Sequence, residues 1–130
     1  MFENKDDNQD VLNKVALFEE MIDKKSFTFF DVDDFEAIVD YYISVDFKPK
    51  AIKALKMGLS QYPNDLALTL LKVDLLNSNQ KFNESFNILK EIEHFFPNNI
   101  DVVIAIGKLS SVLDFPLVAE DYIDKAFSLS

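Results

Sequence analysis

Between Asp33 and Ser44 the apolar residues Phe35, Ile38, Val39, Tyr42 and Ile43 fall at i, i+3, i+4, i+7 and i+8, the spacing that lays one apolar stripe along a helix. Pro49 to Gln61 continues with Ile52, Leu55 and Leu59 on one face and Lys50, Lys53 and Lys56 outside; Pro49 suits a first helical turn because its missing N–H has no partner there anyway. Asp65 to Asn77, Asn83 to Phe95, Asp101 to Leu113 and Pro116 to Leu129 read the same way. Asp65, Asn83 and Asp101 are N-cap candidates at their starts. Ahead of these, Val11 to Lys24 sets Val11, Leu12, Val15, Ala16, Phe18, Met21 and Ile22 in a helical pattern. Ser26 to Asp31 carries Phe27, Thr28, Phe29 and Phe30; it is too short for a helix and reads as an extended connector whose rings dock on the first hairpin. No strand is predicted, so the expected fold class is all-α.

The helices repeat. Pro63-Asn64-Asp65 and Pro97-Asn98-Asn99 are turns 34 residues apart. Ala51, Ser85 and Ala119 lie on the same grid, and Gly58 and Ala126 are two periods apart. Asp46-Phe47 recurs as Asp114-Phe115, just before the second helix of the first and third units. Small residues on such a grid let antiparallel helices approach closely, while large ones such as Leu55, Leu89 and Ile123 fill the space around them.

With the period, these positions resemble the tetratricopeptide repeat, of bacterial type, over roughly Val32 to Ser130. The segment Phe30-Asp31-Val32-Asp33-Asp34-Phe35 also resembles the lead-in to the first repeat of some bacterial members. Val39 and Val73 depart from the pattern where a small residue is usual and only Gly107 fits; Ile92 and Thr69 depart too, so the second unit is the least typical. The resemblance implies an α-α superhelix of antiparallel hairpins, a solenoid with an N-terminal capping helix. Its expected organisation is a flexible acidic segment over residues 1–10, a helix and connector over 11–31, and three hairpins over 32–65, 66–99 and 100–130, continuing in a longer native chain.

In that family the first helix of each hairpin lines a concave surface that holds an extended peptide or a partner helix. Carried over by register, the groove positions are Asp33, Glu36, Asp40 and Ile43 in the first unit, then Ala67, Leu70, Asp74 and Asn77, then Asp101, Ile104, Lys108 and Ser111. Members that grip the acidic tail of a chaperone present Lys, Arg and Asn there; this chain presents carboxylates, which disfavours such tails.

Charge narrows the partners further. The formal net charge is -10 and Arg is absent, whereas phosphate backbones are held by clustered cations, most effectively by guanidinium groups. Nucleic acid is not an expected partner. No apolar stretch approaches the roughly 20 residues that span a bilayer, and the N-terminus lacks the apolar centre of a signal peptide, so a cytoplasmic location is the default expectation. With no Cys, thiol chemistry, disulfides and cysteine-ligated zinc are excluded.

Catalytic motifs fare no better. Two glycines, Gly58 and Gly107, cannot build a phosphate-binding loop. A calcium loop starting at Asp31 would have Glu36 and Tyr42 where Gly and Glu are required. His94 is the only imidazole and reads as structural, as Phe82, Phe86, Phe95 and Phe96 read as core and connector aromatics. The expectation is therefore a non-enzymatic interaction scaffold without cofactor or metal, binding a basic and apolar protein segment. The alternative is a structural role as the N-terminal part of a longer array, or self-association through the end face around Tyr122, Ile123, Phe127 and Leu129.

Overall fold

The computed structural model describes residues 5–130, with side chains from Asn8 onward. Its helices are α1 (Lys5–Lys24), α2 (Val32–Ser44), α3 (Lys48–Gln61), α4 (Leu66–Ser78), α5 (Phe82–Glu93), α6 (Ile100–Val112) and α7 (Pro116–Leu129). Among the described residues there is no strand, as the periodicity predicts. Of the segment expected to be flexible, residues 1–4 lie outside the described residues, and from Lys5 the chain is already helical. Polar pairs help carry α1 that far, such as the Gln9 amide donating to Asn13 Oδ1 one turn on at 3.0 Å; an apolar pattern does not register them.

The 34-residue grid reappears as geometry. α2, α4 and α6 begin at residues 32, 66 and 100, and α3, α5 and α7 at 48, 82 and 116. Each hairpin turns on one residue in the left-handed region, Asp46 at φ 56°, Gln80 at 60° and Asp114 at 64°. At each turn the N–H after that residue bonds a carbonyl five back, Phe47 to Tyr42 at 2.8 Å, Lys81 to Leu76 at 2.9 Å and Phe115 to Ser110 at 2.8 Å. These are Schellman closures, which satisfy the last carbonyls of the first helix and aim the chain back along it. The recurring Asp-Phe pair is thus a turn signal, and Gln80-Lys81 does the same work without sharing its residues.

The first helices are capped on the grid as well. Asp31 accepts from Asp34 N–H at 2.8 Å, Asp65 from Leu68 N–H at 2.9 Å, and Asn99 from Asp101 and Val102 N–H at 3.0 and 3.2 Å. Asp65 caps as expected, but α6 is capped by Asn99 rather than Asp101. Asn83 lies inside α5, where no side chain caps the start. The Schellman closure at Gln80 already fixes the direction of that chain, so α5 starts without an Asx cap.

Two compact units divide at Leu68/Thr69, within α4. In the first, α1 packs on α2 and α2 pairs with α3 around Phe18, Phe35, Ile38, Val39, Ala51 and Ala54, all without solvent contact. Of the connector rings only Phe30 docks, edge-on to Phe35 at 5.6 Å; Phe27 and Phe29 are exposed, a correction to the expected docking of all three. The chain there is extended, so neighbouring side chains point to opposite sides and they cannot all reach one core. Glu19 ties α1 down, accepting from the Tyr42 hydroxyl and the Lys50 ammonium, each at 2.8 Å. In the second unit α6 packs on α5 and pairs with α7 around Val73, Leu89, Val102, Val103 and Ile106. Here Lys90 and Tyr122 converge on Glu93 at 2.9 and 3.0 Å, joining α5 to α7.

Candidate functional site

The twelve positions carried over by register all fall on α2, α4 and α6, the first helices of the hairpins. In the first compact unit Asp33, Asp40 and Ile43 are exposed, and Glu36 and Ala67 half-buried. Asp40 lines a cleft of about 670 Å³ whose other walls come from α1 through Asn8, Val11 and Leu12 and from α2 through Tyr41 and Ser44. The first helix, expected as a cap, supplies one wall of this cleft. The sequence carries a trace of this. Val15, Phe18 and Met21 form the buried stripe, and Leu12 and Leu17, which are exposed, are apolar residues beyond what that stripe needs.

In the second compact unit Leu70, Asp74 and Asn77 of α4 and Asp101, Ile104 and Lys108 of α6 line one cleft of about 430 Å³. Six residues from two helices, placed together by the repeat register, thus share a real concavity. Phe82, Leu109 and Val112 line it too. Phe82, expected among the core and connector aromatics, is the first residue of α5 and is half-buried there. Ser111 does not reach this cleft; with Ile104 and Lys108 it borders a different hollow of about 520 Å³ between α6 and α7, beside Gly107, Ile123 and Phe127.

Electrostatics separates two kinds of carboxylate. Glu19 is held below the ordinary range by the Lys50 ammonium and the Tyr42 hydroxyl. For Asp34 and Glu93 burial pushes upward, but Lys14 and the Asp31 N–H outweigh it for Asp34, and Lys90 and the Tyr122 hydroxyl for Glu93, so both end low. Three others are pushed up: Glu36 by burial and then by the charges of Asp40, Asp33 and Asp65, and Asp40 and Asp74, both exposed as residues, by partial desolvation of their carboxyls. All three raised groups lie on α2 and α4, whereas every lowered one is paired with a lysine. Perturbed carboxylates without a structural partner concentrate where proteins meet ligands.

Among the described residues no three His, Asp or Glu side chains converge as metal ligands would, and no helix is long and apolar enough to cross a membrane. His94 is exposed, at the C-terminal cap of α5.

No family model matches the chain, and a search of curated proteins returns no match. Among solved structures, a mutant of MamA, a tetratricopeptide-like protein, superposes with a TM-score of 0.64 at 17% identity, covering 94% of this chain and 74% of that one. At that identity the likeness concerns fold alone, and it agrees with a helical-hairpin solenoid of tetratricopeptide type.

Proposed function

We propose that this chain is a non-catalytic protein-binding module that receives basic and apolar segments of a partner at the carboxylates of α2 in the first unit and, separately, at the α4 and α6 cleft of the second. The observation that carries the reading is the cleft in which Asp74 and Asp101 stand beside Leu70 and Ile104, and desolvation pushes Glu36, Asp40 and Asp74 upward in keeping with it. Their ionised forms are held at some cost in the free protein, and a cationic partner relieves that cost on binding. Leu70 and Ile104 beside Asp74 supply apolar contact in the same cleft.

Affinity capture from lysate, followed by mass spectrometry, tests this with the wild type and a variant carrying Asp33→Asn, Glu36→Gln, Asp40→Asn and Asp74→Asn. The variant should lose partners that the wild type retains at low salt. Equal capture by both proteins sinks the reading.

A second reading is favoured by one comparison within the repeat. Leu89 is 0% exposed, but Ile123, its equivalent one period on, is 49% exposed, and Phe127 beside it is 76% exposed. An apolar face of this kind serves self-association or contact with a further hairpin. Sedimentation should then show concentration-dependent dimers that Ile123→Glu abolishes; a strict monomer at high concentration removes self-association.

A further inference from the structure

On the 34-residue grid Leu55, Leu89 and Ile123 are equivalent, as are Gly58, Ile92 and Ala126. The members on α3 and α5 are buried, and in each case the first helix of the next hairpin lies over them. Leu68 of α4 puts its Cδ1 atom 3.2 Å from a Cβ built on Gly58, and α6 packs on α5. On α7, Ile123 is exposed and Ala126 half-buried. With Val103, Ile104 and Phe127 they line the hollow of about 520 Å³ between α6 and α7, which no helix covers among the described residues. The apolar residues beside it are matched by charge. Glu120, Ile123, Asp124 and Phe127 follow at i, i+3, i+4 and i+7 and so share one stripe of α7, while Lys108 stands on the α6 side of the hollow. Lys108, Glu120 and Asp124 are exposed, and among the described residues none of the three takes part in an ion pair.

From this arrangement we infer that the α6/α7 face binds a second copy of this chain about a twofold axis: Ile123 and Phe127 of each copy enter the other's hollow, and each Lys108 meets Glu120 and Asp124 of the other copy. The inference rests on the self-association reading and specifies its face, its symmetry and its charge pairs. A surface that carries both a hollow and the ring that fills it is complementary to itself, which a twofold contact requires. Covering the exposed ring and aliphatic side chains drives association. The lysine and the two carboxylates, unpaired within one copy, then fix the register between two, and they offset the repulsion between chains that each carry a net charge of -10.

Sedimentation of the full chain over a concentration series should show monomer and dimer in equilibrium. Phe127→Glu, a change at an exposed residue, should abolish the dimer and leave the helical circular dichroism intact. Lys108→Glu, and separately Glu120→Lys combined with Asp124→Lys, should each weaken dimerisation about 10-fold or more. Mixing these two charge variants should restore it. In a twofold heterodimer the reversed lysine position faces the reversed carboxylate positions, and the native lysine faces native carboxylates. A mixture that associates no better than its components overturns the twofold pairing. A dimer indifferent to Phe127→Glu and to the charge variants forms through another face, so the geometry is wrong while self-association stands. A strict monomer at high concentration ends both; amide shifts of α6 and α7 in a ¹⁵N NMR titration with a blocked peptide of the α4 sequence would then give the face to a further hairpin.

Discussion

At the residue scale, the hairpin turns and the raised carboxylates each hold stability in reserve. Asp46, Gln80 and Asp114 adopt the left-handed conformation, which costs a residue with a Cβ on the order of 1 kcal/mol. Replacing any one by Gly should raise stability by about 0.5–1 kcal/mol in urea denaturation, the relief exceeding the added freedom of the unfolded chain. The carboxylates behave oppositely to the usual acid. The folded state raises the pKa of Glu36, Asp40 and Asp74, so folding favours their protonated forms. Their contribution to stability is thus greatest below their unfolded pKa values and declines as pH rises through the raised folded values, opposite to that of Glu19, Asp34 and Glu93. Glu36→Gln and Asp40→Asn should therefore increase Tm at pH 7 by roughly a degree or two, an effect kept small by solvent screening. The gain should shrink as the pH falls below the carboxylate range, and a gain that persists there would point to packing instead of charge.

At the element scale, helix approach decides which substitutions the repeat tolerates. A Cβ built on Gly58 of α3 would lie 3.0 Å from the Phe35 ring and 3.2 Å from Leu68 Cδ1. Both neighbours are fully buried, so neither can swing away into solvent. Gly58→Val should cost about 2–3 kcal/mol, through overpacking and the poorer helix propensity of valine, and thermal melting will show it. Gly107 faces a looser contact, Tyr122 Cβ at 3.4 Å, and Gly107→Ala should be close to neutral or stabilising. Ala51, Ser85 and Ala119 are all buried on the second helices, and Ser85 donates to the Val73 carbonyl at 3.3 Å. One grid position can thus change from alanine to serine because the hydroxyl finds an acceptor inside the same hairpin.

On the scale of the whole molecule, a net charge of -10 sets self-repulsion against binding. Added salt screens both. Raising NaCl from 20 to about 500 mM should increase Tm of the free protein and, over the same range, weaken capture of a basic partner. Tm and affinity moving in the same direction would show that repulsion among the acids is not what the partner relieves.

The sequence by itself determined the helices, the 34-residue period and the small residues at helix contacts. These follow from backbone propensity and from contacts between neighbours along the chain, which leave a periodic trace. It also placed Leu70, Asp74, Asn77, Asp101, Ile104 and Lys108 in one register, and they share a cleft. Tertiary structure decided the rest. Phe30 is buried while Phe27 and Phe29 are not, Leu12 and Phe82 line clefts instead of filling the core, and Ile123 stays exposed where its equivalent Leu89 is covered. In each case the residue type gives an affinity for burial, but burial itself depends on whether another helix lies over that particular face, and no local pattern encodes that.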